Sequence, residues 1–429
     1  MEEQITLQNN FDTLNRIPLE YQKMLVIEKM RRPSAFKERE VFLQQEFMIE
    51  GIDDNGKKFA LQKYHTPFWL CDQMIRELLN HTGFIRGKKI LIYNIEFLDY
   101  LYRYGIMLDN EIWFINENPR KVEFANRIYI GDTNDKFVVN EFLKIDENMK
   151  FDIIVMNPPY QAPMKDKNES GKPTLWDKFI SKMIDSLNPD GFLCSVNPNQ
   201  WREPDGKYKN LQNVMKNKQI HYLELHSIKD GEKTFGASTV YDWYVLQNKQ
   251  CTKPTVIKDI NGNNTSIRID NLEFIPDVNI NLVYSLVAKD EEKKVEILHS
   301  FSKYEHRQKW MSKEKNDEFQ YPCIYGIKSD GTPSFIYSKI NSNGHFGIPK
   351  VVFINTGVGT GTFVDYDGKY GLTEFAIGIV DEQKNLENIK NALDNNMFIK
   401  NIMGGGGRSK YNKKIISYFR KDFWKEFVK

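Results

Sequence analysis

Apolar and polar positions along the chain follow two rhythms. Short apolar runs occupy 88–93, 111–117, 128–132, 151–156, 191–196, 220–225 and 240–246. Such runs, rich in β-branched and aromatic residues and bounded by turn formers, read as buried strands. Between several of them the apolar positions recur at helical spacing, as over 67–80 and 175–187, with a further helix expected from about Pro119. Strands alternating with helices predict an α/β fold with a doubly wound parallel sheet. Residues 1–45 carry Leu19, Met24, Leu25, Ile27 and Met30 near helical spacing before Pro33 interrupts. They are expected to form a helical appendage.

The sheet-forming domain is expected over 46–250. A linker with Gly262, Asn263 and Asn264, two short strands and a charged helical run around 290–294 is expected over 251–300. The last part, 301–429, has another texture. Strands at 325–333 and 350–355, a hairpin at 365–371 with Asp367-Gly368 at its turn, and a helix from 385 to about 396 predict a mixed α/β domain. Gly357, Gly359 and Gly361 interleave with threonines, but their spacing matches no nucleotide-binding pattern.

The chemistry concentrates at 151–160. Phe151-Asp152-Ile153-Ile154-Val155-Met156 reads as a buried strand, and Asn157-Pro158-Pro159-Tyr160 cannot continue it, because two prolines remove ladder donors and fix φ. The chain therefore turns at the strand's carboxyl end, where open α/β sheets bind ligands. The Asn157 side-chain oxygen and the Pro158 carbonyl are acceptors suited to an exocyclic amino group. Two such acceptors take both of its protons and prepare the nitrogen to attack an electrophile. Tyr160 offers a ring on which a flat heterocycle can stack.

Composition narrows the setting. The 429 residues carry a formal net charge of +2, so a nucleic-acid surface must be a local patch. Such a patch is expected in the tail, where Arg408, Lys410, Lys413 and Lys414 follow four consecutive glycines and are interleaved with aromatic residues. A solvated basic helix is the alternative. Four dispersed cysteines show neither a disulfide framework nor metal spacing, so no metal is expected. No apolar run is long enough to span a membrane, and the start shows no secretory signal, which leads to a cytoplasmic, nucleoid-associated expectation.

Asn-Pro-Pro-Tyr after such a strand resembles the catalytic motif of the S-adenosylmethionine-dependent amino-methyltransferases, in particular the N6-adenine DNA methyltransferases of type II and type IIG restriction-modification systems. The resemblance spans about 55–429. It implies a Rossmann-like methyltransferase sheet with a C-terminal target-recognition domain, double-stranded DNA as substrate, S-adenosyl-L-methionine as cofactor and a separate restriction endonuclease as partner. It assigns Asn157, Pro158, Pro159 and Tyr160 to catalysis, with Phe235 stacking on the far face of a flipped adenine. Tyr64, Thr66 and Pro67 match the cofactor-contacting Tyr-x-Thr-Pro segment, with Thr66 also expected as a helix N-cap. Glu117, an acid at the end of the second strand, is placed for ribose hydroxyls. Asp132 matches the adenine-binding position.

One departure stands out. The family's glycine-rich turn after the first strand is replaced here by Asn94-Ile95-Glu96-Phe97, without glycine. Either Asn94, Glu96 and Phe97 hold the cofactor in another way, or cofactor binding is impaired and the chain is a DNA-binding subunit. An RNA or protein-glutamine N-methyltransferase is the other alternative, since it would share the motif.

Overall fold

The computed structural model of the chain describes residues 65–428, except 84, 104–109, 117–120, 124, 126–136, 141–145, 147, 162–173, 205, 301–302, 343, 355–360 and 403–411. The chain divides between Glu273 and Phe274 into two compact units.

The first unit is built on a nine-stranded sheet. In chain order its strands are β1 (Lys89–Ile92), β2 (Glu111–Ile115), β3 (Phe137–Asn140), β4 (Phe151–Met156), β5 (Leu187–Pro198), β6 (Lys218–His226), β7 (Tyr241–Gln250), β8 (Thr255–Lys258) and β9 (Asn264–Ile267). Their order across the sheet is β3-β2-β1-β4-β5-β7-β6-β8-β9. β3, β2, β1, β4 and β5 are mutually parallel, and β7 runs antiparallel between β5 and β6. The sheet is wound outward from β1 in one direction and from β4 in the other. The crevice at the carboxyl ends of these two strands is therefore the topological switch point.

Residue alternation explains why both faces are covered. Ile90, Ile92, Ile153, Val155, Cys194, Val196, Trp243 and Val245 share one core with Phe68, Leu70, Met74, Ile75, Leu78 and Leu79 of helix α1 (Phe68–Thr82) and with Ile95, Phe97, Leu98 and Leu101 of α2 (Ile95–Arg103). The intervening residues Leu91, Ile154, Met156, Leu193, Tyr244 and Leu246 are also buried, and period-two alternation puts them on the other face. Helix α3 (Trp176–Asp185) buries Phe179, Ile180, Met183 and Ile184, and α4 (Lys209–Asn217) buries Leu211 and Met215. Asp152, half-buried near the start of β4, joins its neighbours. Its carboxylate accepts from the Lys89 main chain at 2.9 Å and from Asn188 Nδ2 at 3.0 Å.

Several elements differ from expectation. The two short strands in the expected linker are β8 and β9, and they extend the sheet: β8 pairs parallel with β6, and β9 pairs antiparallel with β8. The expected strand at 128–132 lies outside the described residues, while β3, at Phe137–Asn140, pairs with β2. The appendage at 1–45 also lies outside them.

The second unit contains two four-stranded sheets. One has the order β10 (Glu296–Leu298), β17 (Ala376–Val380), β14 (Lys350–Ile354), β15 (Phe363–Asp365). The other has the order β11 (Met311–Ser312), β13 (Pro333–Ser338), β12 (Tyr321–Ile327), β16 (Gly371–Leu372). The expected hairpin at 365–371 is absent. β15 pairs with β14, whereas β16 pairs with β12 in the other sheet, so this turn carries the chain between sheets. Asp365 explains the turn: its carboxylate accepts from the main-chain N–H of Lys369 and Tyr370 at 2.8 and 3.1 Å, and from buried Lys350 at 2.7 Å. The charged run near 290–294 is not helical; helix α6 precedes it at Ile280–Leu286, after α5 (Ile228–Phe235) in the first unit. In the tail only Asn412–Ile416 is α-helical among the described residues. Phe419, Phe423 and Phe427 bury their rings in the core with helix α7 (Leu386–Leu393).

Candidate active site

The site is assembled from two turns at the switch point. After β4, Asn157 is 3% exposed. Its main chain is gripped by the side chain of Asn94, which lies just beyond β1. Asn157 N–H donates to Asn94 Oδ1 at 2.6 Å, and Asn94 Nδ2 donates to the Asn157 carbonyl at 3.0 Å. One amide thus replaces two ladder bonds at the point where Pro158 and Pro159 make the ladder impossible. The Asn157 side chain is held separately, its Nδ2 donating to Thr66 Oγ1 at 3.0 Å. With Nδ2 donating there, Oδ1 is the acceptor end of the amide.

Thr66 is therefore not the helix cap expected of it. Pro67 takes the N-cap position of α1, no side chain caps it, and the Pro67 carbonyl accepts from Leu70 and Cys71 at 3.0 Å each. The physical reason is competition, because the hydroxyl that would cap the helix bonds Asn157 instead.

Glu96 is 2% exposed and paired with His65 Nδ1 at 3.0 Å. Burial works to raise its pKa, but Lys121 and His65 outweigh burial and hold it near 2. Its second oxygen, Oε2, is buried and has no hydrogen-bond partner among the described residues. Phe97, expected beside the cofactor, is fully buried and packs in the apolar core. The Asn94 side chain is likewise occupied, at both ends, by the Asn157 backbone. Asn116, just after β2, reaches the same place, its Nδ2 donating to the Tyr93 carbonyl at 2.8 Å.

Tyr160 follows the prolines. Its ring is half-buried, and its buried hydroxyl has no hydrogen-bond partner among the described residues. Burial, with the charges of Tyr241 and Asp242, raises its pKa, so the phenol stays neutral. Its carbonyl accepts from Leu175 N–H at 3.1 Å, and a Gln161–Thr174 bridge closes the base of the following loop. Asp242 forms a fully buried ion pair with Arg202 at 2.7 Å. Phe235 ends α5, a helix started by a Ser227–Asp230 capping box. Its half-buried ring meets Tyr241 edge-on, with centroids 5.0 Å apart. Tyr241 thus touches Phe235 and acts on Tyr160 through its charge.

Not every expected residue can be placed. Tyr64, Glu117, Asp132, Arg408 and Lys410 lie outside the described residues. Lys413 and Lys414 fall in the short helix Asn412–Ile416, where Lys414 is half-buried. Sequence reasoning missed His65, Lys121, Arg202, Tyr241 and Asp242. His65 was legible as the neighbour of Thr66; for the others the chain carries no local signal.

Strand order, parallel core and switch-point crevice define a Rossmann-like sheet of the class I methyltransferase kind. Residues 104–235, which include the Asn157–Tyr160 turn, match the model of the Eco57I restriction-modification methylase family. No curated protein matches the sequence. Among solved structures, the type I restriction enzyme EcoKI M protein is 16% identical over 47% of this chain and 49% of its own, with a TM-score of 0.36. A structure described as a type I modification subunit from Vibrio vulnificus YJ016 is 10% identical over 52% and 51%, with a TM-score of 0.36. The type IIG restriction endonuclease BpuSI is 9% identical over 85% of this chain and 60% of its own, with a TM-score of 0.43. The chain spans about half the length of the two type I subunits.

Proposed function

We propose that the chain methylates DNA at the N6 amino group of adenine, with S-adenosylmethionine as methyl donor and as the modification part of a restriction-modification system. The observation that carries this is the Asn157-Pro158-Pro159-Tyr160 turn at the switch point, with Asn157 buried and held through both its main chain and its amide nitrogen. An oriented acceptor pair beside a half-buried ring suits an amino group on a flat base.

The residues present fit the cofactor in one respect that can be checked. Glu96 Oε2 is a buried carboxylate oxygen at the switch point with no hydrogen-bond partner among the described residues, and the cofactor's methionine part carries an ammonium. When bound, the cofactor supplies an electrophilic methyl group on sulfonium sulfur. The chain's own residues do the rest. Asn157 Oδ1 and the Pro158 carbonyl accept the two amino protons of the base and orient the nitrogen lone pair. Tyr160 stacks on the base, and Phe235 covers its other face after it leaves the duplex, an extrusion costing a few kcal/mol. The neutral Tyr160 phenol leaves the stacking face uncharged. Most of the acceleration then comes from positioning. The second unit would read the sequence and contribute phosphate contacts from Arg408, Lys410, Lys413 and Lys414, and a separate endonuclease would be the partner.

The test is transfer of tritiated methyl from S-adenosylmethionine to unmethylated duplex DNA, followed by digestion to nucleosides. Label in N6-methyl-2′-deoxyadenosine supports the proposal. Label in N4-methyl-2′-deoxycytidine would keep the chemistry and change the base. No label in DNA, with label appearing when RNA or protein is offered instead, would overturn it.

A further inference from the structure

A second cavity lies at the other end of the sheet. Its volume is about 590 Å³, within the size range of small-molecule sites. Its walls come from the amino-terminal parts of β1, β4, β5 and β6 and the carboxyl end of antiparallel β7: Lys88 before β1, Asp152 in β4, Gly191 in β5, His221 in β6 and Lys249 in β7. Asp152 and Asn157 are separated by the length of β4, about 16 Å at roughly 3.3 Å per residue. The cavity is therefore distinct from the catalytic turn.

Its lining is mixed in charge with a positive balance, three lysines against Asp152 and Asp190. Lys88, Lys249 and Lys253 line it, and none makes an ion pair with a carboxylate among the described residues. Lys253 is held in place through its main chain, where buried Gln219 accepts from its N–H at 2.9 Å and donates to its carbonyl at 3.1 Å. Two imidazoles join them. His81 and His221 stack with centroids 4.5 Å apart and planes 21° apart, and Phe192 continues the stack at 5.9 Å from His221.

The polar orientations are fixed. Gln247 Nε2 donates to the Asp190 carbonyl at 3.1 Å, so Gln247 Oε1 accepts from His221 Nε2 at 2.9 Å. His221 Nδ1 remains as the second ring nitrogen, an acceptor when neutral and a donor when charged. Burial, with His81, Lys249 and Lys253, holds the His221 pKa down against the Gln247 bond. An anion in the cavity would offset those cations. The acids are otherwise engaged: Asp152 with Lys89 N–H and Asn188, Glu77 with His81 and Asn80, and Asp190 with Gln247. Asn80 Oδ1 is buried and has no partner among the described residues, which gives the cavity one acceptor for a ligand N–H or O–H.

We propose that this cavity binds a phosphate-bearing small molecule of nucleotide size, its phosphate held by Lys249, Lys253, Lys88 and His221 and a hydroxyl or amine of the same molecule donating to Asn80. It is a site separate from methyl transfer, and it stands whether or not that reaction is confirmed.

The test is calorimetric titration of the full chain with uridine 5′-monophosphate, uridine and inorganic phosphate at constant ionic strength. The monophosphate should bind at least ten-fold more tightly than uridine. Lys249→Glu with Lys253→Glu should weaken it at least ten-fold, and His221→Gln several-fold, with an unchanged thermal midpoint for the lysine pair, whose side chains reach solvent. Methyl transfer and duplex binding should be unchanged in that pair. Absence of monophosphate binding, or binding that ignores these substitutions, would overturn the proposal. So would lysine substitutions that weaken duplex binding and leave monophosphate binding intact.

Discussion

Two asparagines, one after β1 and one after β4, sit side by side at the switch point and do opposite things. Asn94 is 0% exposed, and both ends of its amide bond another residue's main chain. Asn157 is the residue being held, and its side chain is oriented by a third segment through Thr66. The first turn carries no glycine, and its Asn94 side chain is a brace. The second turn has lost its ladder bonds to two prolines and depends on that brace. The same side chain thus serves as scaffold in one turn and as candidate reagent in the next, according to which of its groups is already bonded.

The comparison can be broken at either turn. Asn157→Ala removes the amide acceptor itself and is expected to lower methyl transfer by about 10³-fold or more, in the range of single electrostatic groups at an active site. Stability should change little by comparison, because the Asn94 contacts to its main chain survive. Urea denaturation beside the transfer assay checks both.

Asn94→Ala strips two hydrogen bonds from the Asn157 backbone and leaves a buried donor and acceptor unmet. That should cost about 1–3 kcal/mol for each unsatisfied group. It should also slow transfer at saturating cofactor by about 10²-fold, because a misplacement near 1 Å has that effect. Single-turnover rates and urea midpoints give the two numbers.

Glu96→Gln sharpens the comparison by asking whether the first turn needs its charge. Breaking one side of a buried pair costs about 3–5 kcal/mol. The pH dependence has a definite sign. The folded Glu96 pKa is depressed to about 2 from an ordinary 4.5. Its contribution is present above about pH 4.5 and is lost as pH falls toward 2. Wild type should therefore lose more stability than Glu96→Gln between pH 5 and about 3, measured as the difference in urea midpoint.

Thr66→Val should give the smallest effect. It removes the hydroxyl that fixes the Asn157 amide while keeping the shape, so a roughly ten-fold loss in rate is expected with little change in stability. Thr66→Ser should restore the rate.

How legible this was from sequence differs between the turns. The second turn announced itself, because Asn-Pro-Pro-Tyr after an apolar run is local information, and strand–helix alternation gave the order of most elements. The first turn did not. Asn94 and Asn157 are 63 residues apart, and nothing local to Asn94 says that its amide will grip a distant main chain. Thr66 misled for the same reason, since its Thr-Pro pattern is a local cap signal that a contact 91 residues away overrides. β8 and β9 resembled a linker because Gly262 and two asparagines mark a hairpin, and a hairpin's attachment to a sheet edge is not written in its turn. The turn at 365–371 had the residues of a hairpin, but Asp365 binds Lys350 and two main-chain N–H groups and sends the chain to another sheet. In the tail, Phe419, Phe423 and Phe427 were overshadowed by the lysines around them and are core.

The most direct test separates brace from ligand in Asn94→Ala. S-adenosylmethionine affinity is measured by calorimetry, and the single-turnover methyl transfer rate is measured at saturating cofactor. The account predicts a dissociation constant within a few-fold of wild type and a rate lower by about 10²-fold. A dissociation constant raised by about 10²-fold, with the saturated rate unchanged, would contradict it and make Asn94 a cofactor ligand after all.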